Sequence, residues 1–361
     1  MHRTPPKTFF NVQALRGIAA CMVVLFHASE KWSIAATGRD SMAWSVGASG
    51  VDIFFVISGF VMATSSLSKG NGPQSAWEFF KRRLVRILPL YWIITTVLVI
   101  KIDLGLVRNT AWTGAVPLPF AFCSYLLIPY LHGGETSPIL GQGWTLSYEM
   151  FFYLLFAAAL AIRKSVPQFL TFVLCLLVLI GSFRTDDWPA ITVLLRPMLL
   201  EFLAGLWLGV AALKGRFLGP RLSISLAVSA VLTELFLHPT QPFVGRLEWG
   251  VCSILIFQAA VALEPVIGKR IPRWMLLVGD ASYSIYLVHP MFLGYYTERL
   301  KAAHVLLAGR VRLQDDVITL VVCLGLSLLV GIVVYKAIEL PLNHRLQRLM
   351  RLRAVQIESA S

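Results

Sequence analysis

Long apolar stretches broken by short polar ones run the length of the chain. They fall near 10–29, 44–66, 84–102, 144–163, 168–183, 190–213, 222–238, 248–264, 276–297 and 317–338. A helix needs about 20 apolar residues to cross a hydrocarbon core, and shorter stretches are accommodated by tilt or local thinning. The pattern therefore predicts an all-α, polytopic integral membrane protein with about ten transmembrane helices. The stretch 115–131 is also apolar, but it carries Pro117, Pro119 and Pro129. Those prolines favour a re-entrant or interfacial piece over a further span.

Composition agrees with lipid as the solvent. Only 14% of the 361 residues are charged, against about 25% in soluble domains, and the mean hydropathy is +0.71. No polar stretch is long enough to hold a soluble domain. The organisation expected is one membrane domain over 1–343 and a basic tail over 344–361. In that tail, leucines interleave with basic residues from His344 to Arg353, which suits the surface of an anionic inner leaflet.

The net charge of +13 has a topological explanation. Lys81, Arg82, Arg83, Arg86, Lys214, Arg216, Lys269 and Arg270 fall in loops or helix ends on the same side as both termini. Asp103, Glu135, Asp186, Asp187, Glu248, Glu298, Asp315 and Asp316 collect on the other. The bias predicts cytoplasmic termini and requires no nucleic-acid partner. The five cysteines are isolated, without a C-x-x-C pair, so neither a disulfide framework nor a metal site is expected. Cys21 ends a run resembling a lipoprotein cleavage box. Arg16 interrupts the apolar region such a signal needs, so 11–29 reads as a retained first helix.

Ionisable residues inside spanning helices are costly and mark functional sites. The first helix carries Arg16 and His27, eleven residues apart, which puts them on one face about 16 Å apart along the axis. A snorkelling arginine and a packed histidine would show the same spacing. The second helix holds Asp52 within Gly-Val-Asp-Ile-Phe-Phe-Val-Ile-Ser-Gly-Phe over 50–60; it needs a partner, either catalytic or simply a pin between helices. Next comes Lys81-Arg82-Arg83-Leu84-Val85-Arg86-Ile87-Leu88-Pro89-Leu90-Tyr91-Trp92, with Arg83 and Arg86 on one helical face. Guanidinium groups there suit a ligand carrying several phosphates, and part of the cluster is ordinary positive-inside flank. Farther on, Trp144-Thr145-Leu146-Ser147-Tyr148-Glu149 opens a helix that carries Glu149 into the membrane. Finally, Ser282-Tyr283-Ser284-Ile285-Tyr286-Leu287-Val288-His289-Pro290 puts Tyr286 and His289 on one face ahead of a proline kink. Arg196, Glu201, Glu234 and Glu339 read as candidates for helix-to-helix pairs.

Taken in order, these motifs resemble the acyltransferase 3 family over nearly the whole chain, most closely its exopolysaccharide-acetylating branch. The resemblance implies a ten-helix membrane enzyme that moves an acyl group, mostly acetyl, from acetyl-CoA to an extracytoplasmic carbohydrate in a bacterial inner membrane. It implies functional roles for His27 and Glu149. Acyl transfer to a hydroxyl needs a base, and His27 is expected to be that base, with Asp52 or Glu149 orienting its ring. It also implies functional roles for Arg16, Arg82, Arg83 and Arg86. With Tyr91 beside them, these are expected to bind acyl-CoA, and Trp144, Ser147, Tyr283, Tyr286 and His289 are expected to bind the acceptor. Acyl-CoA is then a donor substrate, and no permanently bound cofactor is expected. Partners would be membrane lipids, the carbohydrate and polysaccharide-assembly proteins. Phe151 stands where many relatives have glutamine, which leaves the acceptor open. No esterase-like domain follows the membrane region, so any assisting domain would be a separate protein. A transporter also buries charges in helices, but the chain shows no inverted halves.

Overall fold

The computed structural model describes residues 9–37, 45–67, 70–106, 115–162, 165–236, 242–308 and 313–360. Its helices, in chain order, are α1 (Phe10–Thr37), α2 (Gly50–Ser66), α3 (Pro73–Asp103), α4 (Leu118–Tyr125), α5 (Gly143–Ala161), α6 (Val166–Gly181) and α7 (Leu199–Leu213). There follow α8 (Pro220–Phe236), α9 (Pro242–Ala262), α10 (Glu264–Ile267), α11 (Arg273–Asp280), α12 (Ser282–Ala308), α13 (Leu313–Val334) and α14 (Leu340–Ala360). Among the described residues the fold is all-helical, with one isolated bridge between His132 and Glu135.

Five helical segments are long and apolar enough to cross a membrane: Phe10–Ile34, Ser45–Ser66, Pro73–Asp103, Gly143–Ala161 and Val317–Met350. Two bent pairs raise the count to 7 if each is one span: Leu247–Ala262 with Glu264–Arg270, bent by 45°, and Arg273–Asp280 with Ser282–Leu293, bent by 69°. The chain is thus a multi-pass membrane protein. The expected span over 276–297 is really two helices meeting sharply at Ala281, and α12 continues as helix through Pro290, where a kink was expected. The stretch 190–213 also shortens. A 3-10 turn at Ala190–Leu194 and the bend around Arg196 precede α7, leaving 15 residues, about 22 Å of helix. Arg196 therefore sits outside that helix. The proline-rich stretch 115–131 holds only the eight-residue α4, about 12 Å long and too short to span, as its prolines predict.

The chain divides into two compact units, Met1–Thr64 with Glu201–Tyr335, and Ser65–Leu200 with Lys336–Ser361. In the first, α1 is the hub, packing on the 3-10 turn Ser45–Ser49 and on α9, α11, α12 and α13. Val12, Leu15, Ala19, Ile53, Val56, Phe60 and Phe257 form its buried core. Helices α2 and α7 meet backbone to backbone. A Cβ at Gly59 would overlap the Phe202 carbonyl oxygen, and one at Gly205 would overlap that of Val56. Small residues permit this approach, as they do generally where membrane helices pack closely.

The start of α1 is capped from another helix. Glu264 accepts from the backbone N–H groups of Phe10 and Asn11, each at 2.8 Å. These are orphan donors of a helix terminus, and a negative charge there also complements the helix dipole. The first turn of α1 has no acidic residue of its own.

In the second unit α3 packs on α5 and α14, and α5 packs on α6 and on the turn Ala190–Leu194. Pro73 opens α3 where its missing N–H costs nothing, and the preceding Gly72 N–H donates to the Leu160 carbonyl at 2.9 Å. Helix α4 is tied to α3 by Tyr91, whose hydroxyl donates to the Ser124 carbonyl at 2.7 Å, and by the Trp92 indole, which donates to that of Tyr125 at 2.8 Å.

Candidate active site

In the first unit, α1 lies along the bent pair α11–α12, and both of its predicted polar residues face that pair. Near the start of α1, Gln13 donates to Asp280, the last residue of α11, and accepts from Arg16 at 3.3 Å. Arg16 is within electrostatic range of the Asp280 carboxylate. The close approach needs Gly279, where a Cβ would overlap the Gln13 carbonyl oxygen. Farther along, the His27 ring stacks on that of His289, with centroids 5.3 Å apart and planes at 21°. Ala20, Val24, Val278, Ala281 and Ile285 fill the space between the two levels. The eleven-residue spacing thus does what it predicts: Arg16 and His27 share one face and one neighbour.

The two histidines differ in access. His289 is fully buried. Its Nδ1 lies 3.1 Å from the Ile285 carbonyl, which can only accept, so Nδ1 carries the hydrogen and Nε2 the lone pair. That Nε2 has no hydrogen-bond partner among the described residues. His27 keeps a side-chain exposure of 25%. Its Nδ1 is buried without a hydrogen-bond partner, and the carboxylate within ion-pair reach of it is Glu30, at 3.7 Å. Asp52, expected as an orienting carboxylate, is fully buried in the first turn of α2 and within electrostatic range of Glu234. Glu234 itself accepts from Ser49 at 3.3 Å. Tyr286 packs edge-on against Phe54 at 6.0 Å and lies 5.9 Å from the His289 ring. Tyr283 is half-buried.

The second unit assembles the other predicted residues. Arg83 is set between aromatic rings, its guanidinium 5.4 Å from the centre of Phe79 and 5.6 Å from that of Tyr153, and it donates to Ser65 at 3.0 Å. Such stacking is a cation–π contact that a compact ammonium reproduces poorly. Tyr153, buried beside it, donates its hydroxyl to Glu149, and Arg86 and Glu149 are both within electrostatic range of Arg83. Arg82 points elsewhere, pairing at 3.4 Å with Glu78 on the exposed side of α3. Tyr91 is fully buried, with its hydroxyl committed to the Ser124 carbonyl. Ser147 turns back to the Gly143 carbonyl at 3.3 Å, and Trp144 meets Tyr148 edge-on at 5.9 Å.

The residue pattern alone passed over Glu30, Gln13 and Asp280, and it placed Tyr153 in the Trp144–Tyr153 motif without a role. Glu30 was visible in principle, because His-x-x-Glu puts both side chains on one helical face. So was the pairing of Tyr153 with Glu149, four residues before it. Gln13 and Asp280 meet only because α11 ends in the bend, which no residue pattern announces.

This is a helical membrane fold with a histidine and arginines held inside it, and its family can be stated. The acyltransferase domain of the acyltransferase 3 family matches residues 9–336, so the chain belongs to that family and is an acyltransferase. It is similar to the exopolysaccharide production protein ExoZ of Rhizobium meliloti (strain 1021), at 34% identity over 333 residues, 89% of this chain and 95% of that one. It is also similar to the acyltransferase MdmB of Streptomyces mycarofaciens, at 28% identity over 70% of this chain and 69% of that one. The O-acetyltransferase OatA of Staphylococcus aureus (strain NCTC 8325 / PS 47) shares 25% identity over 79% of this chain, which spans 50% of OatA. No solved structure matches the chain.

Proposed function

We propose that this protein transfers an acetyl group from acetyl-CoA to a hydroxyl of an extracytoplasmic carbohydrate, in the manner of an exopolysaccharide O-acetyltransferase. It would work in the inner membrane of a bacterium, crossing it about ten times with both termini in the cytoplasm. The similarity to ExoZ over 95% of that protein's length supports the exopolysaccharide as acceptor class, and the name of OatA supports O-acetylation.

The reading rests above all on His27, a histidine within a spanning helix that keeps part of its ring open while the rest is held by His289. A sugar hydroxyl is a weak nucleophile near neutral pH, and a positioned base contributes about 10²–10⁴ in rate. In the proposed step Nε2 of His27 takes the hydroxyl proton as the sugar oxygen bonds to the thioester carbonyl carbon. The carbon–sulfur bond then breaks, and the CoA thiolate leaves with that proton returned from His27. The thioester and the sugar hydroxyl are thereby converted to an ester and the free CoA thiol. Arg16, Arg83 and Arg86 are assigned to the phosphates of the donor, where guanidinium groups bind strongly and with direction. Trp144, Tyr283 and Tyr286 are assigned to the sugar.

The test uses Rhizobium meliloti cells lacking ExoZ and reads the ester-acetyl content of the secreted polysaccharide by proton NMR. Expression of the chain should raise it, and the His27→Ala variant, present in the membrane at equal level, should not. An equal rise with both would overturn the role of His27; no rise with either would overturn the acceptor.

A further inference from the structure

The buried Nδ1 of His27 needs a partner. A polar atom shut away from solvent without a hydrogen bond is costly, and buried polar groups without partners are rare. Around this nitrogen the described residues offer one carboxylate, that of Glu30 at 3.7 Å. On an exposed surface a His–Glu pair three residues apart would be an ordinary and weak helix-face contact. Here the geometry differs in two respects. The His27 nitrogen facing the carboxylate is the buried one, and the ring cannot swing freely because it lies flat against fully buried His289.

We infer that Glu30 is the positioning residue of the active-site base, accepting the Nδ1 hydrogen of His27 so that Nε2 presents its lone pair to the acceptor hydroxyl. This rests on the reading of His27 as the base. The separation of 3.7 Å exceeds a direct hydrogen bond, so the inferred contact requires the half-buried Glu30 side chain to turn toward the ring. The arrangement follows the logic of a carboxylate that fixes an imidazole tautomer and stabilises the imidazolium formed in the transition state. The stacked His289 ring holds the same imidazole from its face. Glu30 neither touches the substrate nor gives up a proton. It acts on the base and not on the donor, and most strongly when His27 becomes charged, so it belongs to kcat and leaves donor affinity alone.

The experiment measures CoA-thiol release by the full chain in proteoliposomes. Acetyl-CoA is the donor, and polysaccharide from the ExoZ-deficient cells is the acceptor. Glu30→Gln keeps the size of the side chain and removes its charge. It should lower kcat about tenfold to a hundredfold, a share of what a positioned base supplies, with KM for acetyl-CoA unchanged. Glu30→Asp, which keeps a carboxylate, should recover part of that loss. In a His27→Ala background, assayed at enzyme levels that read its residual rate, Glu30→Gln should cause no further fall, because there is no imidazole left to orient. Wild-type kcat for Glu30→Gln beside a His27→Ala variant slowed by about 10²–10⁴, the share of a lost base, would overturn this inference and leave the base standing. An additive loss in the double variant, or a loss that Asp does not relieve, would also overturn it. Full activity of His27→Ala would instead overturn the base itself.

Discussion

The imidazole of His27 lies flat on that of His289, centroids 5.3 Å apart, joining a helix near the start of the chain to one near its end. The contact gives His289 two separable contributions, a ring that packs and a nitrogen, Nε2, that has no partner among the described residues. Substitution can tell them apart. His289→Phe keeps a flat ring in the fully buried site and should hold the melting temperature near wild type, whereas His289→Ala leaves a cavity costing about 2–5 kcal/mol. If the ring alone matters, His289→Phe keeps its transfer rate; if the nitrogen matters, the rate falls while the fold persists. Thermal unfolding in detergent, read beside the transfer rate, decides the point, and equal stability of the two variants would deny the packing role.

Arg82 and Arg83 are neighbours in sequence but face different surroundings. Arg83 is held between Phe79 and Tyr153 and bonded to Ser65, whereas Arg82 pairs with Glu78 in the open. An exposed pair of that kind is worth at most about 1 kcal/mol. Arg82→Ala should therefore leave both stability and KM for acetyl-CoA near wild type. Arg83→Lys keeps the charge but loses the planar stack and the directed donors, and KM should rise about tenfold, equivalent to about 1.4 kcal/mol. Titration of acetyl-CoA against each variant checks this. A larger effect at Arg82 than at Arg83 would reverse the assignment.

That contrast shows how far the sequence could be read. Membrane character was plain from the apolar stretches, and the shared face of Arg16 and His27 from a spacing of eleven. Successive helical residues point about 100° apart, so the divergence of Arg82 from Arg83 was implicit in the same arithmetic, but which of them faced inward was not. The bend at Ala281 was hidden for a physical reason. No proline marks the break, and the contact beside it is tertiary: a Cβ at Gly279 would overlap the Gln13 carbonyl oxygen. Tyr91 was hidden similarly. Its hydroxyl serves α4, through a carbonyl 33 residues away, and a motif that places tyrosine after arginines says nothing of that partner. Pro290 misled in the other direction, since α12 runs through it.

The meeting of α2 and α7 sets a limit on side-chain size. Because a Cβ at Gly59 or Gly205 would overlap a carbonyl oxygen of the facing helix, the obstacle is backbone and cannot rotate away. Gly59→Val and Gly205→Val should each cost about 1–3 kcal/mol or more by overpacking. Their combined cost should fall short of the sum, since the first substitution already separates the helices. Size-exclusion profile and melting temperature measure it. A variant melting at the wild-type temperature would mean the two backbones are not in contact.

Helix α1 carries both Arg16 and His27, so whatever fixes its first turn fixes their level against α11 and α12. Glu264 does this with both carboxylate oxygens, at 2.8 Å from the N–H groups of Phe10 and Asn11. Glu264→Ala removes both acceptors and should cost about 1–2 kcal/mol, the range of a lost N-terminal cap. Glu264→Gln retains one acceptor oxygen and should fall between Ala and wild type. Gly268→Ala offers an independent route to the same end, because its Cβ would overlap the Glu264 carboxylate and push it off the helix end. Hydrogen exchange at the Phe10 and Asn11 amides reads the loss directly, and all three variants should speed it while amides near the middle of α1 keep their protection. Unchanged exchange at these two amides in Glu264→Ala would show that the helix start is held by something other than this carboxylate.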